Sequence, residues 1–115
     1  MNSLTQTMNS LTQSKNNCVA VCEKCIADCL TCIEVCKKMK GMEHCITLCE
    51  RCIDFCKDSI ATSQRNSLDH SIALQQCLEA CYHCAEECEK YDHDACQNCA
   101  DSCRENMAEC EAILD

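Results

Sequence analysis

Between residues 17 and 114 the chain repeats one beat in four clusters: within each, cysteine returns at nearly every third or fourth position, and an aliphatic residue often follows it directly. The cysteines are Cys18, Cys22, Cys25, Cys29, Cys32 and Cys36; Cys45, Cys49, Cys52 and Cys56; Cys77, Cys81, Cys84 and Cys88; and Cys96, Cys99, Cys103 and Cys110. Of the 14 intervals inside these clusters, 13 are three or four residues. Steps of this size keep side chains on one face of an α-helix. With Cys18, Cys45, Cys77 and Cys99 at position a of a heptad, every cysteine falls at a or e. Position b carries Val19, Ile26, Ile33, Ile46, Ile53, Ile60, Leu78, Ala85, Ala100, Met107 and Leu114, and position d adds Val21, Val35, Leu48 and Phe55. Around a helix the order is d, a, e, b. The pattern is a central stripe of thiol with an aliphatic flank on either side.

Four helices follow, at about 17–38, 42–61, 67–90 and 94–114. Gly41 is suited to the left-handed residue beyond a helix end. Ser67 reads as an N-cap for the third helix, and Asp94 with Gln97 reads as a capping box opening the fourth. Connections of four to six residues favour antiparallel neighbours, which makes the fold class all-α: an up-down-up-down four-helix bundle with a cysteine-lined core. Residues 1–16 form a separate N-terminal segment, disordered or a short helix. The sextet MNSLTQ occurs twice in it, with Met1, Leu4, Met8 and Leu11 at helical spacing. The bundle itself is one domain, 17–115.

Composition agrees. There is one glycine, no proline and no tryptophan, and the aromatic residues are Phe55, Tyr82 and Tyr91. The net charge of −9 offers no basic patch for nucleic acid. No apolar run is long enough for a secretory leader or a membrane span, so the expected compartment is the cytosol, where thiols stay reduced. Local disulfides are disfavoured by geometry. They need Cβ atoms about 3.5–4.5 Å apart, whereas helical i,i+3 and i,i+4 neighbours lie about 5–6 Å apart. Bridges between helices remain open to such a chain.

Five CxxC pairs occur, but within helices. Zinc ribbons and ferredoxins place theirs on Gly- or Pro-punctuated loops, and a thioredoxin-like motif needs a βαβ setting. No acid/base pair, activated nucleophile or phosphate-binding loop is present in the sequence, so no enzymatic activity is expected. Charge then separates the metals. Four thiolates around Zn²⁺ leave −2 per site, and repeating that inside one narrow bundle is costly. Cu(I) binds thiolate at a neutral one-to-one ratio, which points to roughly 18 ions shared among bridging sulfurs. A metallothionein-like zinc or cadmium sink is the alternative.

Met39 at position a and Met42 at position e extend the sulfur columns at the end where the first and third connections meet. His44, Tyr91 and His93 belong to that end, the expected mouth, with His44 read as a surface residue. At the opposite end Leu11, Leu74 and Ile113 are expected plugs, with Ser59, Ser63 and His70 adding polarity. Asn106 interrupts the stripe of the fourth helix as a carbonyl ligand or a hydrogen-bonding group. His83 faces outward.

The CxxxCxxCxxxC units, the scarcity of glycine and proline, and the stretch Tyr91-Asp92-His93-Asp94-Ala95-Cys96-Gln97-Asn98-Cys99 resemble the bacterial copper storage proteins over about residues 17–114. The resemblance implies a four-helix bundle filled with Cu(I)–thiolate clusters, commonly a homotetramer, that sequesters copper in the cytosol and holds it in reserve. A copper chaperone or chelator is the exchange partner open to such a store. All 18 cysteines carry over as metal ligands, and His93 corresponds to a histidine-rich mouth. Tyr91 and Ala95 stand where the cytosolic class often has more histidine, while Met39 and Met42 are similar to the methionine-lined opening of the exported class.

Overall fold

The computed structural model describes the backbone of residues 3–65 and 67–114, and the side chains of 16–65 and 67–114. The described residues form four helices: α1 (Ser3–Cys36), α2 (Glu43–Gln64), α3 (His70–Cys88) and α4 (Asp94–Leu114). Each packs on two neighbours, in the ring order α1, α2, α3, α4. With connections at 37–42, 65–69 and 89–93, this is the expected antiparallel bundle. It measures 60 × 23 × 20 Å.

The aliphatic flanks close the seams. Ile33, Ile53, Ala85 and Ala100 are buried beside the thiols, and Ile26, Ile46, Leu48, Phe55, Leu78 and Met107 pack partly buried against them. Thiols are interchangeable, so a helix sliding by one heptad would still set cysteine against cysteine. Unique polar pairs select the register instead, the role a lone polar group plays in a coiled coil. Ser102 of α4, buried, donates to the Asp28 carboxylate of α1. Ser59 of α2 donates to the Ala73 carbonyl of α3 (3.3 Å), and Arg104 of α4 pairs with Glu89 at the end of α3 (2.8 Å).

Helix ends differ from the sequence expectation. The backbone of α1 begins at Ser3 and passes through residue 17 unbroken, and it stops at Cys36. The side chains of Met1, Leu4, Met8 and Leu11, including the expected Leu11 plug, lie outside the described residues. The expected turn at 62–66 belongs to α2 as far as Gln64: the Arg65 N–H still bonds the Ala61 carbonyl (3.1 Å), and Thr62 and Ser63 are buried; Asn66 lies outside the described residues. Ser67 does not cap α3: its hydroxyl accepts the Asp69 N–H (3.1 Å), tightening the turn one step earlier. The Asp94/Gln97 capping box also does not form. His93 is the cap, its Nδ1 accepting the Ala95 N–H (3.1 Å), while the Gln97 amide donates to the Tyr91 carbonyl (2.8 Å).

Gly41 has φ +78°, and a Cβ placed there would meet nothing within 4 Å. Gly41→Ala should therefore carry a backbone penalty alone, about 1 kcal/mol. In a thermal melt followed by circular dichroism we expect Tm to fall by about 4 °C. A rise would contradict the left-handed assignment.

Candidate metal centre

All 18 cysteines are fully buried and none is in a disulfide. Each helix delivers its thiols at matching heights, so they stack as rings along the axis. Nearest the mouth, Cys36 and Cys32 approach Cys96 (3.9 and 3.8 Å), and Cys45 faces Cys88 (3.7 Å). Next, Cys99 meets Cys29 (3.6 Å), Cys84 (3.8 Å) and Cys49 (3.9 Å). In the third ring Cys52 touches Cys81 (3.6 Å), Cys25 (3.7 Å) and Cys103 (3.9 Å). The fourth holds Cys56 against Cys77 (3.8 Å), with Cys22 and Asn106 (3.5 Å apart) in the remaining two corners. Beyond it, Cys110 reaches back to Asn106, and Cys18 stands level with it by register.

Sets of four sulfurs lie within 4.8 Å of one another: Cys25, Cys29, Cys52 and Cys103; Cys25, Cys52, Cys56 and Cys81; Cys29, Cys84, Cys99 and Cys103; Cys32, Cys36, Cys45 and Cys96; Cys32, Cys49, Cys88 and Cys99. These sets share members. The core is therefore a continuous column of soft donors, not a series of closed sites. Two sulfurs on one ion, each bonded at about 2.3 Å, are about 3.8 Å apart at a tetrahedral angle and about 4.6 Å apart when opposed. The observed contacts need little expansion to meet either geometry.

Asn106 is fully buried and its hydrogen bonds all go to sulfur. Its amide nitrogen donates to Cys56 (3.3 Å), Cys77 and Cys81 (3.5 Å each), while Cys22 (3.5 Å) and Cys110 (3.8 Å) donate to its oxygen. Burial pushes the Cys36 and Cys96 thiols from their ordinary 9.0 up to about 12, because a thiolate would lose its solvation there. Cys84, bonded by Cys103, Cys29 and Cys49, is drawn down to about 6. A protonated thiol packs as a small apolar side chain, so such a column can close as a core in its own right.

At the mouth the structure separates the candidates. Met42 is buried (3% exposed) and joins the sulfur core, whereas Met39 falls in the turn beyond α1 and is 41% exposed. The expectation that Met39 continues the helical column is corrected by the early helix end. His93 is half-buried with Nδ1 committed to its cap, and His44 and His83 are on the surface. Glu87 was not singled out by the sequence reading. It is buried, accepts bonds from Tyr91 (2.7 Å) and Lys90 (3.0 Å), and is held below the usual carboxylate range by them. The i,i+4 spacing of Glu87 and Tyr91 was the available signal. At the far end Leu74 is buried as expected, Ile113 packs partly buried, and Ser59 and Ser63 are buried.

Comparison with known proteins agrees with this geometry. Among solved structures, the Cu(I)-bound copper storage protein BsCsp3 matches with a TM-score of 0.83 and 28% identity, covering 89% of this chain and 99% of that one. Apo-Csp3 from Bacillus subtilis matches with a TM-score of 0.83 and 29% identity, covering 87% and 98%. No curated protein matches the sequence. The family model described as copper storage protein matches residues 5–115, nearly the whole chain, and this protein therefore belongs to the copper storage protein family.

Proposed function

We propose that this chain stores Cu(I) inside the bundle, at roughly one ion per cysteine, and so withholds a toxic ion until it is needed. The observation that carries the reading is the axial column of 18 buried, disulfide-free thiols, many of them in overlapping four-sulfur sets. Overlap favours ions that share sulfurs. A monovalent soft ion at one per thiolate leaves the interior near neutral, whereas discrete divalent sites would each bury −2. The similarity to a Cu(I)-bound structure supports the same ion.

In this reading all 18 cysteines are ligands. Met42, Met39 and His93 receive copper at the mouth, since thioether and neutral imidazole have no proton to expel. Met42 makes the inner contact. Met39, exposed, makes the first, and His93 joins only if its Nδ1 leaves the Ala95 N–H or its Nε2 is used. No described helix is long and apolar enough to cross a membrane. The reduced thiols suit the cytosol, where exchange with a chaperone or small chelator at the mouth, and assembly as a homotetramer, complete the picture.

Anaerobic titration of reduced protein against a competing chelator should saturate near 18 Cu(I) per chain, roughly one for each of its sulfurs. Saturation near four zinc ions, held in preference to copper, would reject the reading in favour of a zinc sink. Met39→Leu and Met42→Leu should slow loading while leaving capacity unchanged, as stopped-flow and endpoint metal analysis would show.

Each ion displaces a thiol proton, so apparent Cu(I) affinity should rise with pH. The linkage for the metal-free fold has the opposite sense. Cys36 and Cys96 are raised from 9.0 to about 12, so their contribution is complete below pH 9 and is lost as pH climbs towards 12. Denaturant titrations of the metal-free protein across that window should show falling stability, and copper-loaded protein should not.

A further inference from the structure

The stripe positions change chemistry at the end away from the methionines. In α2 the series Cys52, Cys56, Ser59, Ser63 keeps the +4, +3, +4 step but passes from sulfur to oxygen. Ser59 is fully buried, and by the Cys25–Cys52 pairing it stands level with Cys18. Cys56 faces Cys77, so one heptad further Ser63 stands level with His70. Ser63 is 2% exposed, and its hydroxyl finds no hydrogen-bond partner among the described residues. Leaving a buried hydroxyl unmet costs about 1–3 kcal/mol, which a bound water removes. Beside it, Thr62 bonds His70 Nδ1 at 2.8 Å, and Thr62 also lines a surface groove of about 270 Å³ with Asp58, Arg65 and Asp69.

We propose that this end is a hydrated outlet for protons, separate from the metal mouth, running from the Cys18 level through Ser59 and a water on Ser63 to the Thr62–His70 pair and the groove. The inference rests on the copper-storage reading. Each loading step breaks one S–H bond and the ion's bonds to its donor, forms S–Cu bonds to the two sulfurs that share the ion, and frees one proton, with no change of oxidation state. A filled column therefore expels as many protons as it takes in ions. Those protons cannot easily leave against the inward stream of like-charged cations through one narrow mouth. Hydroxyls suit the outlet because they relay protons yet are poor ligands for a soft ion. The acidic groove, with Asp58 and Asp69, receives them.

The test has two arms. A high-resolution crystal structure of the reduced apo-protein should show a water within hydrogen-bond distance of Ser63 Oγ; a dry, apolar-packed Ser63 overturns the proposal. In stopped-flow loading with a Cu(I)–chelator complex and a pH indicator, Ser63→Ala combined with Thr62→Val should release protons about tenfold more slowly, the scale of one lost hydrogen bond in a relay. The final copper content should match that of the parent protein. Ser63→Ala alone serves as the milder variant, since the hydroxyl makes no hydrogen bond to the described protein groups and its removal should leave the fold intact, and it should show a smaller slowing. Unchanged proton release with normal capacity overturns the outlet and leaves storage standing. Reduced capacity also overturns it, since the hydroxyls would then be ligands. Failure of the parent protein to take up copper sinks both readings.

Discussion

A bundle whose axis is filled with thiols must bring eighteen small, weakly hydrogen-bonding side chains into mutual contact without any of them choosing the wrong partner. Sulfur-to-sulfur separations of 3.6–3.9 Å across the helix seams show that the core is close-packed. Cysteine fills little volume, so the helices approach closely, and the larger aliphatic residues are left to cover the seams from either side. Everything else follows from this division of labour. The stripe carries the chemistry, the flanks carry the hydrophobic driving force, and the two are interleaved at single-residue spacing.

That division made the fold legible. Position a/e for cysteine and b/d for Ile, Leu, Val and Phe could be read off the chain, and the structure places all 18 thiols inside with Ile33, Ile53 and Ala100 beside them. Antiparallel order followed from the short connections. Less legible was whatever depends on one contact between distant segments. The Ser102–Asp28 bond joins positions 74 residues apart, and nothing local marks either residue. Helix ends were read from local capping rules, and there the tertiary context won: His93 displaced Asp94 as the cap, and Ser67 spent its hydroxyl on a turn. Met39 continues the heptad of α1 only on paper, since the helix ends at Cys36.

Asn106 shows how one substitution within a uniform stripe acquires meaning only from its surroundings. On sequence it is an interruption at position a. In the structure its amide is met by five sulfurs from α1, α2, α3 and its own helix, so a polar group is buried in a nearly apolar core with both ends satisfied. Its two ends respond differently to loss of thiol protons. The nitrogen keeps donating, and more strongly, to sulfurs that gain negative charge. The oxygen loses the donors it had in Cys22 and Cys110. The fourth ring is thus electronically distinct from the three all-sulfur rings nearer the mouth.

Shared sulfurs also bear on how a narrow tube could accept many ions. If each ion needed its own closed set of four thiolates, filling one set would strip donors from its neighbours, since Cys25, Cys29, Cys32, Cys52, Cys99 and Cys103 each belong to two sets. Bridging removes that conflict, because one sulfur serves two ions and the charge stays balanced along the column. The structural demand is then small and uniform. From the observed 3.6–3.9 Å, a sulfur pair would have to open by only about 1 Å to reach the spacing of two ligands opposed on one ion. A core of thiols in contact, sealed by aliphatic flanks and pinned by a few polar pairs, can make that adjustment without changing its topology.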